Sequence, residues 1–186
     1  MGIAAKLAHW VCGDYSLYFI YRWQSSAMDE QQPVQIMFRP SADDLLSSQR
    51  AAIAEQQWYL GSGCEPFAIS DDSGPAAVCF YWHGERYRQR NFWPLQEDEA
   101  KLVQIVVDPS ARGRGLASGL IAASAAEMAK QGWRTLYARI WHSNQPSLRA
   151  FERAGWRRIA FVAELFPFGT RLKLRIRLPM GPRTVR

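Results

Sequence analysis

Residues 112–117, Arg-Gly-Arg-Gly-Leu-Ala, join an apolar run, Val103-Gln-Ile-Val-Val107, to a helical pattern that starts near Leu116. Gly113 and Gly115 let the backbone turn sharply, and the first N–H groups of a helix have no partner inside it. Those groups, the helix dipole and the side chains of Arg112 and Arg114 make an anion site that favours phosphate. Two nucleotide-binding patterns fail on residues. A P-loop needs G-x-x-x-x-G-K-S/T, and no such run occurs. A dinucleotide fingerprint needs a third glycine where Ser118 stands and an acid about twenty residues on, where Trp133 and Arg134 lie.

The turn, behind Val107-Asp108-Pro109, resembles the acyl-CoA-binding motif Q/R-x-x-G-x-G/A of the GNAT superfamily of N-acetyltransferases. Asn144-Gln-Pro-Ser-Leu-Arg-Ala-Phe151-Glu-Arg-Ala-Gly155-Trp156 is similar to that superfamily's second signature and follows after one helix and one strand. An isolated G-x-G reads as an ordinary strand-to-helix connection, and the second motif in register reverses that reading. The likeness is close over residues 103–160 and rests on the order of elements over 34–102. It implies that acetyl-CoA, a co-substrate, inserts between strands at 102–107 and 135–141. Backbone groups of Ile105, Val106 and Val107 would pair with the pantetheine amides. The N–H groups of Arg112, Gly113, Arg114, Gly115, Leu116 and Ala117 would cradle the pyrophosphate, and Asn144 and Ser147 would complete the CoA site. The implied reaction is direct attack of an amine on the thioester, with no metal and no covalent enzyme intermediate.

The chain departs from that family where protons move. The usual acid is a tyrosine in the helix after the asparagine, where this chain has Phe151, and Val103 and Gln104 stand where many members carry an acid. His142, at the end of the strand that would flank the thioester, is the candidate catalytic residue because imidazole titrates near neutral pH. Its competing reading is a surface turn histidine. Tyr81, Tyr87 and Tyr137 are substitutes for the missing acid, and Glu97, Asp98 and Glu99 are candidates to line the amine pocket.

Trp58, Tyr59, Tyr81, Trp82, Tyr87, Phe92 and Trp93, interleaved with Arg86, Arg88 and Arg90, suit a small flat or sugar-like amine, an amino sugar being the leading acceptor. Core packing explains several of these rings equally well. The alternatives are a non-catalytic acyl-CoA sensor or an enzyme acting on a protein or peptide amine. Nucleic acid is the weaker partner, because no binding motif accompanies the arginines.

The elements that must position these residues alternate along the chain. A strand at 34–38 leads to a helix that starts at Ser41 and runs towards Trp58. Strands at 65–70 and 76–82 enclose a turn-rich hairpin connection, and 83–100 is an irregular excursion. A strand at 102–107, a helix at 116–130, a strand at 135–141, a short helix opened by Pro146 and strands at 156–163 and 170–178 follow. The expected fold is an α/β, GNAT-like one: a mixed, mostly antiparallel sheet flanked by helices. Residues 1–32 read as an N-terminal extension packed on the domain or serving a homodimer, 33–180 as the acyltransferase domain and 181–186 as a basic tail.

Composition bounds the rest. Of 23 Lys and Arg against 17 Asp and Glu, six cations and no acid fall in residues 171–186, so residues 1–170 are neutral. Arg171, Lys173, Arg175 and Arg177 alternate with Leu172, Leu174, Ile176 and Leu178, which predicts a cationic stripe on one strand face and an apolar face packed opposite. Cys12, Cys64 and Cys79 are widely spaced with no C-x-x-C pair, against a disulfide scaffold or zinc site. Residues 3–20 are interrupted by Lys6, His9 and Asp14, against a membrane span. A reduced cytoplasmic protein is the simplest expectation.

Overall fold

The computed structural model describes residues 14–24, 37–166 and 174–181. Asp14–Gln24 carries Tyr15, Tyr18, Phe19, Tyr21 and Trp23 among aliphatics, a composition that suits a strand, and it forms β1. Next come β2 (Met37–Phe38), α1 (Ala42–Leu46), α2 (Ala51–Ala54) and a 3-10 turn at Glu55–Tyr59. β3 (Cys64–Asp71) and β4 (Gly74–Trp82) form a hairpin, and a second 3-10 turn, Arg86–Arg90, precedes β5 (Glu99–Val107). The chain continues through α3 (Leu116–Lys130), β6 (Thr135–Trp141), α4 (Gln145–Arg153), β7 (Arg157–Phe166) and β8 (Leu174–Pro179).

Ser41 starts α1 with a capping box: its hydroxyl accepts the Asp44 N–H at 3.1 Å while the Asp44 carboxylate accepts the Ser41 N–H at 2.7 Å. The expected single helix towards Trp58 is broken in two. Ser47 Oγ donates back to the Asp43 carbonyl at 2.7 Å, and Ser48 Oγ takes the Arg50 N–H at 3.2 Å, local bonds that compete with the helical ladder.

Among the described residues, eight strands make one sheet in the order β2-β3-β4-β5-β6-β1-β7-β8. β5 and β6 run parallel, and the other neighbours pair antiparallel. α3 and α4 cover one face over a core that includes Leu120, Ile121, Leu136, Leu148 and Phe151. On the other face, α1 and α2 cover β3–β5 around Leu45, Ile53 and Phe80, and Phe92 packs with Tyr18, Ile20 and Tyr137 over β6, β1 and β7.

The mixed, helix-flanked sheet agrees with the expectation, but the role of the N-terminal segment does not. β1 lies inside the sheet, paired with β6 through Tyr18–Gln24 and with β7 through Asp14–Arg22, rather than on its surface. Tyr18 and Ile20 enter one core while Tyr21 and Trp23 enter the other. A strand buried on both faces has no polar side to mark it as a strand in the sequence.

A second correction concerns β8. Arg175 and Arg177 do face the sheet side that carries Glu164 and Trp93, at 2.8 Å and with the guanidinium 4.3 Å from the ring centre. Leu174, Ile176 and Leu178, expected to pack opposite, are about half exposed because no helix covers that edge among the described residues. Arg171, Lys173, Cys12, the FPFG connection beyond Phe166 and the tail arginines lie outside the described residues.

Candidate functional site

β5 and β6 pair only from Glu99–Leu102 to Thr135–Ala138 and then part. The divergence follows from an extra residue in β5. Gln104 pairs with Phe80 but Leu102 pairs with Tyr81, so Val103 has no partner of its own and the strand bulges there. Leu102 and Ile105 consequently enter the same core although three residues apart. Ile105, Val106 and Val107 pair with Cys79, Val78 and Ala77 of β4 on one edge, which leaves the edge towards β6 open. The gap is a V whose two walls, past Leu102 and Ala138, have no strand partner across it.

The glycine turn closes the wide end of that V. Gly113 and Gly115 have φ of 78° and 76°, the left-handed region that glycine enters without penalty. Among the described residues no acceptor bonds the N–H groups of residues 113–118; the first ladder bond of α3 runs from Gly119 N–H to the Gly115 carbonyl at 3.0 Å. Gly113, Arg114, Gly115, Leu116 and Ala117 therefore present free donors at a positive helix end. The two arginines differ. Arg112 makes only a long 3.4 Å bond from Nε to the Val107 carbonyl, whereas Arg114 is bonded to Asp71 at 3.0 Å. Asp71 also takes a two-pronged bond from Arg50 at 2.8 and 2.9 Å. Arg50 beside it, with the Ser73 N–H, holds the Asp71 carboxyl down at about 2. This network ties the β3–β4 hairpin to the turn.

Asn144 caps α4: its Oδ1 accepts the Ser147 N–H at 3.2 Å, which leaves its Nδ2 donors available. His142 is exposed beyond the end of β6. Its N–H donates to the Leu17 carbonyl at 3.1 Å, and Nδ1 sits 3.1 Å from the same oxygen. A carbonyl can only accept, so Nδ1–H donates to it. The tether leans the ring towards β1. Phe151 is buried against Trp156 and Tyr21, with ring centres 5.0 and 5.9 Å away.

Two of the three substitute tyrosines, Tyr81 and Tyr137, are engaged elsewhere. Tyr81 is buried under α3, 2.9 Å from Ser124 Oγ, and burial pushes its hydroxyl well above its ordinary value. Tyr137 donates to Glu99 at 3.0 Å, and Asp98 pairs with Arg134 at 3.4 Å. Arg86 pins the carbonyls of Trp58 and Leu60 at 3.2 and 2.6 Å, Arg88 pairs with Glu85 at 2.7 Å, and Arg90 donates to the Tyr59 hydroxyl at 2.9 Å. A cavity of about 460 Å³ lined by His83, Arg86 and Gln89 lies past the other end of β4, away from the glycine turn. Burial pushes the Cys64 and Cys79 thiols to about 12, so neither is a thiolate near neutral pH. Among the described residues no cluster of His, Cys, Asp or Glu could hold a metal ion, and no helix is long and apolar enough to cross a membrane.

Two residues absent from the sequence reading stand on the sheet face opposite α3, at the apex of the V. Lys101 and Arg139 are both cations inside apolar strand runs, Ala-Lys-Leu-Val and Leu-Tyr-Ala-Arg-Ile-Trp, and a charge in such a run is the signal that could have found them.

A bulged strand thus diverges from its parallel neighbour, leaving an open strand edge with free N–H groups at the wide end. The chain belongs to the acetyltransferase (GNAT) family, whose profile matches residues 15–156 and so includes β1. Among solved structures, an acetyltransferase of the GNAT family from Colwellia psychrerythraea superimposes with a TM-score of 0.61 at 16% identity, over 87% of this chain and 60% of that one. A GNAT-family protein from Novosphingobium aromaticivorans matches with a TM-score of 0.61 at 18% identity, over 82% of this chain and 64% of that one. An N-acetyltransferase from Staphylococcus aureus Mu50 matches with a TM-score of 0.50 at 21% identity, over 64% and 81%. The chain thus spans less than two thirds of the first two relatives, and at these identities the likeness is one of fold. Comparison with curated proteins gives no match.

Proposed function

We propose that the protein transfers an acetyl group from acetyl-CoA directly to the primary amine of a small molecule. The observation that carries this reading is the parting of β5 and β6 after Leu102 and Ala138 with unbonded N–H groups at residues 113–118. The residues fit CoA: an open strand edge at Ile105, Val106 and Val107 suits pantetheine amides, and the free donors with Arg112 suit a pyrophosphate. Asn144 Nδ2 and Ser147, at the start of α4, would complete the arm's contacts. Bound acetyl-CoA would supply an acetyl group already activated as a thioester.

This chain's residues do the rest. The cleft walls orient the extended ligand and exclude water from its inner end. His142, beyond the end of β6 with Nδ1–H held by the Leu17 carbonyl, would have to turn its Nε2 from β1 towards the gap to receive the proton that the attacking amine loses. The high thiols of Cys64 and Cys79 support direct transfer without an acyl-cysteine. A reducing, cytoplasmic setting suits those free cysteines.

Thiol release from acetyl-CoA across a broad panel of small amines and peptide amines tests the reading. Turnover is expected with at least one small amine, and His142→Gln is expected to lower kcat by about a hundredfold with CoA binding unchanged. An unchanged kcat discards His142. The buried Phe151, which cannot donate a proton, favours one second reading, an acyl-CoA sensor. CoA-induced stabilisation with no thiol release from any amine would decide for it.

A further inference from the structure

Cations withdrawn from water are normally matched by carboxylates or carbonyls, because the withdrawal is costly. Lys101, which is buried, and Arg139, which is partly buried, have few such partners. Lys101 has no exposed surface, and its Nζ reaches one weak acceptor, Asn91 Oδ1 at 3.4 Å. Its other neighbours are the Tyr87 and Phe92 rings, 4.3 and 4.7 Å from Nζ. The Arg139 guanidinium lies over Trp141, Tyr18 and Phe92 at 5.1, 5.4 and 5.5 Å, and no acceptor among the described residues takes any of its N–H donors. The nearby Glu164 already receives Tyr18 Oη–H at 2.7 Å and Arg175 at 2.8 Å. Burial, with Arg139 and Arg175 close by, lowers Lys101 to about 7, and burial lowers Arg139 as well.

Their position is specific. Arg139 is the first β6 residue past the last pair with β5, and Lys101 pairs with Tyr137 just before the strands part. Both side chains stand on the face opposite α3, whereas the glycine turn leads into α3 at the far end of β5. They are therefore a second cationic site, at the apex of the cleft and walled by aromatic rings. A guanidinium fork, with a lysine on the same face that an arriving anion would hold protonated, matches a carboxylate or phosphate.

We infer that Lys101 and Arg139 form the anion-recognition half of the acceptor pocket, so that the amine acceptor carries a carboxylate or phosphate group. This rests on the transfer reading above. Tyr18, Phe92 and Trp141 flank the anion and supply an apolar surface for the carbon skeleton, leaving the acceptor's amine to reach the thioester through the gap.

The test uses matched amines, an amino carboxylate against its amide and an aminoalkyl phosphate against its alcohol, with the full-length wild-type protein, Arg139→Gln, Arg139→Lys and Lys101→Met. Thermal shift without acetyl-CoA reads binding, and thiol release with acetyl-CoA reads turnover. The anionic member of at least one pair is expected to raise Tm and to show at least a tenfold higher kcat/KM than its neutral partner, a difference of about 1.4 kcal/mol. Arg139→Gln removes that preference, Arg139→Lys keeps part of it and Lys101→Met weakens it, while the CoA-induced shift stays as in wild type. Because Lys101→Met relieves an unmatched buried cation and the partly buried Arg139 donates to no acceptor among the described residues, neither Arg139→Gln nor Lys101→Met lowers the Tm of the ligand-free protein.

Equal binding of neutral and anionic partners, a preference that survives Arg139→Gln, no shift with any anionic amine, or a lower ligand-free Tm in both variants overturns the inference. The two readings fail separately. Thiol release without charge preference leaves acetyl transfer standing and removes the anion site. An Arg139-dependent shift without any thiol release does the reverse. The carboxylate and phosphate arms show which anion the site takes.

Discussion

Arg112 and Arg114 flank the same glycine, yet one is held and the other is not. Arg114 already serves Asp71, and Arg112 makes one long contact to a carbonyl. Arg112→Ala is therefore expected to weaken CoA at least about tenfold, as loss of a charge-assisted phosphate contact does. Arg114→Ala is expected to weaken it less and to cost at most about 1 kcal/mol of stability, as an exposed pair does. Calorimetric titration with CoA separates them, and equal losses would reject the distinction. Lys101 carries a pH signature. Between its lowered value of about 7 and the ordinary value of about 10.4, the folded protein has released a proton that the unfolded chain still holds. Stability should therefore rise with pH across that window, by up to about 1.4 kcal/mol per unit, with the full penalty present below it. Cys64 and Cys79, raised to about 12, oppose this above their ordinary value of about 8.5, and Tyr18 and Tyr21, also raised to about 12, oppose it above about 10. Urea unfolding at about pH 7 and about pH 8, below those values, checks the slope, and Lys101→Met should flatten it. A slope that persists in the variant would mean that another group carries it.

At the scale of elements, β1 decides whether the N-terminal segment is an addition or part of the domain. Phe19 pairs with Ile140 on one side and Phe161 on the other. Proline there removes a ladder bond whichever neighbour accepts it, so Phe19→Pro is expected to cost at least about 3 kcal/mol. Chemical denaturation followed by circular dichroism measures it, and a wild-type midpoint would show that the strand is dispensable. The strands and helices around the two motifs were legible because their periods and stop signals are local: Asp108-Pro109 after β5, Gly132 after α3 and Pro146 at the start of α4. The broken α1–α2 was not, because the serine bonds that break it depend on geometry at Ser47 and Ser48 rather than on composition. β1 was not, because its apolar residues serve two faces at once.

For the whole molecule, the cationic surplus near the C-terminus divides on folding. Arg175 turns to Glu164 and Arg177 to Trp93, while Leu174, Ile176 and Leu178 face outward on the edge strand. Ile176→Thr should therefore change stability by no more than about 0.5 kcal/mol. A larger loss in a thermal melt, growing with protein concentration, would show that a second copy covers this face. The sequence by itself determined the fold class, the glycine turn and the asparagine cap, because each depends on residues close together in the chain whose types have few physical uses. Tertiary structure alone decided that β1 occupies the middle of the sheet, that β5 bulges at Val103 and parts from β6, and that Lys101 and Arg139 both lie against the Phe92 ring. Those outcomes depend on register between strands far apart in sequence, where a shift of one residue turns every side chain to the opposite face.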